Sequence, residues 1–268
     1  MKKIKILLFV ITLSVLSVSC SKDDPIIEEN KIYNFKGTIL DNENQPIENS
    51  IVKLEDKSIL TDENGQFEFL NIVTDDPQVI ITAEKENFIK GYRTVVDLQI
   101  ENNVWLSLLK DKLATIIGTG GKSSTFFPTG LTFTVDGFIS KLDGTAFSGF
   151  LYPVMHHISY KNEEALEIAP GYNKSENDYY GFTYIRLVDD EDNKLDITDG
   201  YFATLNFLID PLDVTTAPEE IDVYNFDETK GIWESYGKAN KINIGAKWYY
   251  KAQISSFDKP WFKLEVKE

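Results

Sequence analysis

Residues Thr61-Asp62-Glu63-Asn64-Gly65-Gln66-Phe67 decide how this chain folds. An acidic and amide run closed by a glycine is tight-turn chemistry, with Gly65 available for positive φ. Phe67 and Phe69 then recur at alternate positions, the period of a half-buried strand. The same grammar extends outward. Ile51, Lys53 and Glu55 alternate with Val52 and Leu54, which gives one apolar face. The turn cluster Asp41-Asn42-Glu43-Asn44-Gln45-Pro46 separates them from Tyr33, Phe35, Gly37 and Ile39, another alternating run. Downstream, Val79-Ile80-Ile81-Thr82-Ala83 is β-branched and strand-like. Strands arriving every ten residues or so, with turns between them, predict a small all-β sandwich over residues 33–110.

A second block, residues 111–268, reads the same way. Leu131–Val135, Phe147–Leu151, Gly181–Leu187 and Tyr201–Phe207 are strand candidates by alternation and by aromatic or β-branched content. Asp136-Gly137, Asp143-Gly144 and Asp199-Gly200 are turn dipeptides between them. Gly118-Thr119-Gly120-Gly121-Lys122-Ser123-Ser124 resembles a phosphate-binding loop only superficially. With Gly121 as the last glycine, the first falls on Ile116, and no helical pattern follows. The glycines are read as a turn. With no amphipathic helix in sight, the fold class expected is all-β, two β-sandwich domains in series.

Between Gly37 and Phe88 the residues follow a recognisable order. Gly37-Thr38-Ile39-Leu40-Asp41, Gln45-Pro46-Ile47, Val52-Lys53-Leu54, Thr61 to Phe67 and Glu86-Asn87-Phe88 resemble a carboxypeptidase regulatory-like domain. That family is a transthyretin-like, seven-stranded sandwich, and it is the non-catalytic companion of some peptidases. Asn44 and Asn87 stand where the family commonly has glycine; Asn tolerates left-handed backbone. In the second block, Ala169-Pro170-Gly171, Ala203-Thr204-Leu205, Pro218 to Ile221 and above all Tyr224 to Ala239 resemble a β-rich module of cartilage intermediate layer proteins. The last segment reads as a hairpin, with Asp227 to Gly231 as its turn and Trp233 returning toward the core. Ile254 to Trp261 takes the place of the family's closing strand without its histidine. Neither resemblance implies catalysis.

At the start, Lys2, Lys3 and Lys5 precede an apolar run from Ile6 to Leu16 and then the only cysteine, Cys20. A positive segment, a short apolar segment and small residues form a secretory leader. The apolar run is shorter than the ~20 residues a bilayer span needs. A cysteine directly after it resembles a bacterial lipoprotein signal. The expectation is cleavage of residues 1–19 and lipidation of Cys20, although Ser17 stands where Leu, Val or Ile is usual. Ser21, Lys22, Asp23 and Asp24 resemble the export signal of Bacteroidetes surface lipoproteins, within an acidic tether over residues 20–32. That places the protein on the outer membrane, facing the exterior, with the periplasmic face as the alternative.

The net charge of −16 excludes nucleic acid as a partner, because capture of phosphate backbones needs clustered Lys and Arg. His156 and His157 are the only histidines, and neighbours on a strand point to opposite faces, so they share no metal. No G-x-S-x-G elbow or H-E-x-x-H motif is present. Acidic residues Asp189, Asp190 and Asp192 offer hard oxygens to Ca²⁺, although hairpin-turn chemistry explains them without an ion. Trp248, Tyr249 and Tyr250 offer rings for ligand stacking if not consumed by a core. No cofactor and no catalytic residue is expected. The function expected is a lipid-anchored, non-catalytic binder of an extracellular protein or glycan. The alternative is an accessory component or weak hydrolase of a polysaccharide- or peptide-processing system.

Overall fold

The computed structural model describes residues 31–112, 116–119, 121–172 and 179–266. They are almost entirely β-structure, as expected. The first unit has seven strands: β1 (Ile32–Asp41), β2 (Ile51–Leu54), β3 (Lys57–Leu60), β4 (Gln66–Val73), β5 (Gln78–Glu84), β6 (Gly91–Val96) and β7 (Glu101–Leu108). They form two sheets, β4-β1-β7 and β3-β2-β5-β6. β1 runs antiparallel to β4 and parallel to β7. Alternation places Phe35 and Ile39, Val52 and Leu54, Phe67 and Phe69, and Val104 and Leu106 in one core between the sheets. Gly37 is required on β1, since a Cβ there would meet the Val104 carbonyl and the Phe67 ring. Asn71, at φ +55°, marks a bulge where β4 fits two residues against one of β1.

The second unit comprises β8 (Ile117–Gly118), β9 (Ser123–Phe126), β10 (Leu131–Val135), β11 (Ile139–Lys141), β12 (Ala146–Phe147) and β13 (Phe150–Ile158). A single helical turn, α1 (Glu163–Leu166), capped by the Asn162 side chain, follows. Then come β14 (Tyr179–Val188), β15 (Lys194–Ile197), β16 (Ala203–Leu208), β17 (Glu220–Asp227), β18 (Ile232–Ile244), β19 (Lys247–Ile254) and β20 (Trp261–Glu265). All thirteen strands belong to one hydrogen-bonded sheet. Its distant members β10, β13, β15, β17 and β20 send side chains into one core, so the sheet curls on itself and is sandwich-like. The Tyr224 to Ala239 segment is the hairpin β17–β18, turning at Asp227 to Gly231.

A third core joins the two units. Ile89, Tyr92 and Leu109 of the first pack with Val154, Phe182, Tyr184, Phe226 and Trp261 of the second. β13 and β14 are therefore covered on both faces. On β13, Leu151 and Met155 enter the second unit's core while Val154 and Ile158 enter the seam. The β17–β18 turn lies against the first unit closely enough that a Cβ at Gly231, φ +66°, would strike the Ile80 side chain. Trp233 returns to this seam, and its indole N–H donates to the Pro170 carbonyl at 2.9 Å.

Candidate functional site

The outward face of β4-β1-β7 carries the feature that the fold explains least. Register lines up two cross-strand rows, Glu68–Lys36–Asn103 and Gln66–Thr38–Trp105. Trp105 is 63% exposed. With Val104, Leu106 and Leu108 filling the core side of β7, Trp105 can only point away from it. An indole so placed leaves unused roughly 2–4 kcal/mol of burial. One exposed aromatic is ordinary on any surface. This one stands in a concavity of about 600 Å³, walled by Ile59, Leu60 and Asp62. A second concavity of about 330 Å³ shares Asn103, Val104 and Trp105 and continues to Arg93, Glu167 and Tyr172. Trp105 is thus a ridge between two grooves, one on the first unit and one at the seam.

Arg93 fixes that ridge. Its Nε donates to the Trp105 carbonyl at 3.1 Å and its Nη2 to the Glu167 carbonyl at 2.7 Å, so one guanidinium ties β7 to the segment after α1. The only other arginine of the sequence, Arg186, also lies at the seam. Both oxygens of Asp111 accept from its Nη2, at 2.9 and 2.7 Å, while Nη1 reaches Asp192 at 3.0 Å. A planar fork of donors suits such multiple contacts better than an ammonium. Nearby, Tyr92 and Glu228 face one another across the seam, and burial pushes both the phenol and the carboxyl up.

In the acidic loop, the carboxylates of Asp189 and Asp192 are engaged by protein neighbours. Asp189 Oδ1 accepts from the backbone N–H of Glu191 at 3.0 Å and of Asn193 at 2.8 Å, and the Asn193 amide engages both carboxylate oxygens. These bonds, Asn193 foremost, hold its carboxyl below the usual range. Asp192 is committed to Arg186. Among the described residues no group of three or more His, Cys, Asp or Glu converges on one point. The loop instead repeats a turn seen twice in the first unit. Asp41 accepts from residues 43 and 45, and Asp62 from residues 64 and 66. Each turn has a left-handed residue three after the aspartate: Asn44 at φ 60°, Gly65 at 70° and Asp192 at 63°.

The aromatic run at the start of β19 requires a correction. Tyr250 is fully buried, with its hydroxyl donating to the Pro218 carbonyl, and Tyr249 is buried as well. Rings without a free face stack on no ligand; they are consumed by packing. Trp248 is partly buried, with the Lys241 ammonium 5.4 Å from its ring centre. The histidines diverge as adjacent strand residues must. His156 Nε2 donates to the Lys110 carbonyl at 2.8 Å, and His157 Nδ1 meets the Thr129 hydroxyl at 2.9 Å. Cys20, Ser21, Lys22, Asp23 and Asp24 lie outside the described residues. Trp105 was not singled out from sequence, yet its signal was there: Asn103, Trp105 and Ser107 alternate against Val104, Leu106 and Leu108.

No family model matches the chain, and no curated protein matches it. Solved structures give distant likenesses. One is a putative membrane-associated protein of unknown function from Bacteroides fragilis NCTC 9343, 12% identical, at a TM-score of 0.28 over 87% of this chain and 97% of that one. Another is a variant of BcpA, the major pilin subunit of Bacillus cereus, 12% identical, at 0.26 over 89% of this chain and 60% of that one. At such scores neither likeness carries an argument.

Proposed function

We propose that this protein is a non-catalytic binder of the cell envelope, lipid-anchored through Cys20 and displayed on the outer face of the outer membrane. Its first unit is a carboxypeptidase regulatory-like domain, and it engages an extracellular protein or glycan through the outward face of β4-β1-β7. The observation that carries the binding reading is Trp105, held outward on a firmly hydrogen-bonded sheet between two grooves. The reading is supported by what surrounds the other candidates, since the carboxylates of Asp189 and Asp192 are already engaged by neighbours. The leader and the residues after it support the location.

Two measurements test the location together. Cys20→Ala is expected to move the protein from the membrane fraction to the soluble fraction, and protease added to intact cells is expected to remove the wild-type protein. A Cys20→Ala variant that stays in the membrane contradicts the anchor. Protection of the wild-type protein in intact cells favours the periplasmic face.

A further inference from the structure

The two grooves combine apolar walls, Ile59 and Leu60 in one and Val95, Val96 and Tyr172 in the other, with a polar floor around a single indole. The core of a protein interface is depleted of charge and dominated by apolar contact. Here the ring of Trp105 is bordered by Gln66, Glu68, Lys36, Thr38 and Asn103, spread over three strands in fixed register. Amides, a hydroxyl, an acid and an amine on one sheet face form an array of donors and acceptors at strand spacing. A large indole face among such groups matches a pyranose ring, which presents an apolar C–H face and a rim of hydroxyls. The charge narrows the choice. Lys36 stands beside Glu68, and Asp62 lines the same groove, so the groove has no cationic surplus, and the full sequence carries −16. Polyanionic chains are repelled by such a field and neutral ones are not. Continuity narrows it again, because grooves of about 600 and 330 Å³ meeting at Trp105 suit a chain and exceed what one small ring needs.

We infer that this face holds a neutral oligosaccharide chain, laid across Trp105 from the open groove of the first unit to the seam beside Arg93. The inference rests on the binding reading above and names the ligand class for that same site. The test is calorimetric titration of the full chain with neutral hexasaccharides (cello-, malto-, xylo-, manno- and chito-series) and with hexagalacturonate as the anionic probe. At least one neutral hexasaccharide is expected to bind, and its disaccharide to bind roughly tenfold more weakly, since only the longer chain crosses the ridge. Trp105→Ala should weaken binding by roughly tenfold or more, while Trp105→Phe retains most of it. The exposed ring makes unfolding of either variant an unneeded explanation, and an unchanged melting curve checks that.

Binding of hexagalacturonate alone, unchanged affinity in Trp105→Ala, or no neutral hexasaccharide binding tighter than about 1 mM each overturns the inference. A photoreactive residue in place of Asn103, activated on intact cells, separates the two levels of failure. A protein captured there while every sugar fails overturns the glycan assignment and leaves the face as a binding site. Failure of sugars and capture together overturns both.

Discussion

The core of the first sandwich and the seam that joins the two units are both well packed, but from different materials. Inside the sandwich, Phe35, Phe67 and Phe69 are the only buried aromatics among aliphatic side chains. The seam is built on Tyr92, Tyr179, Phe182, Tyr184, Phe226 and Trp261. Two pairs of these rings meet edge-on, Tyr92 with Phe226 and Tyr184 with Trp261, each with centres 5.3 Å apart. The sandwich core joins faces that each strand's alternation marks as inward. The seam joins faces that each unit, alone, would turn to water. Large rings with polar edges serve such a place, because they bury much area and still find partners at the rim. The Trp233 contact to Pro170 and the two arginine bridges are of that kind.

Removing the Phe226 ring gives the largest expected effect. Phe226 is fully buried against Tyr92 and Trp233, and Phe226→Ala should cost about 3–5 kcal/mol. The wild-type protein is expected to unfold in one calorimetric transition, because the seam makes the two units interdependent. Phe226→Ala should split that transition. Ile39→Ala, in the sandwich core, should cost about 2–5 kcal/mol and lower the melting temperature of the first unit. Two transitions already present in the wild type would break the comparison, by showing the seam to be weaker than either core.

Strand β13 allows a second test, since His156 faces the seam and His157 the second unit's interior. Burial lowers the His157 pKa to about 4, beside Thr129 and the Phe207 ring. The unfolded chain takes up this proton near the ordinary value of about 6.5, and the folded chain only near 4. Stability from neutral His157 is therefore complete above about pH 6.5 and falls as pH drops through 4, by roughly 2–3 kcal/mol in all. His157→Phe should flatten denaturant midpoints over that window. An unchanged slope would show that another group titrates there.

Lys263 comes next in size. Its ammonium sits 5.0 to 5.4 Å from the ring centres of Tyr179, Tyr224 and Trp233 and pairs with Glu265 at 2.9 Å. Lys263→Met keeps the length of the side chain and removes the charge from the three rings, with an expected loss of about 1–2 kcal/mol in chemical denaturation. No loss would mean that the cation only fills space at the edge of the seam.

What the sequence displays follows the same division. Alternation at Ile51 to Leu54, the turn at Asp62 to Gly65 and the hairpin at Tyr224 to Gly231 were legible because each depends on residues a few positions apart. The seam was not, because Arg93 meets Glu167 and Arg186 meets Asp111 across some 75 positions, and no local period encodes which outward faces will meet. A faint signal existed in the chain's having only two arginines among its many lysines. The proposed binding face is half legible. Adjacent aromatics point to Trp248, Tyr249 and Tyr250, whereas the exposed ring is a single Trp on the polar side of an amphipathic strand. Density of aromatics marks packing, and an aromatic out of phase with its strand marks exposure.

The smallest effect tests how far local chemistry alone governs the legible region. Asn44 holds φ 60° in the turn closed by Asp41, where the sister turn has Gly65. Its backbone N–H donates to the Asp41 carbonyl at 3.0 Å, so any residue placed there inherits the left-handed geometry. Ala lacks the short polar side chain that eases that region, and Asn44→Ala should cost about 1 kcal/mol. Gly enters it freely but adds freedom to the unfolded chain, so Asn44→Gly should stay within about 0.5 kcal/mol of wild type. Equal losses for Ala and Gly in urea midpoints would place the contribution of Asn44 in its side chain and not in its backbone. The three acidic turns would then owe their shape to separate causes, with Asp192 at φ 63° the next to replace.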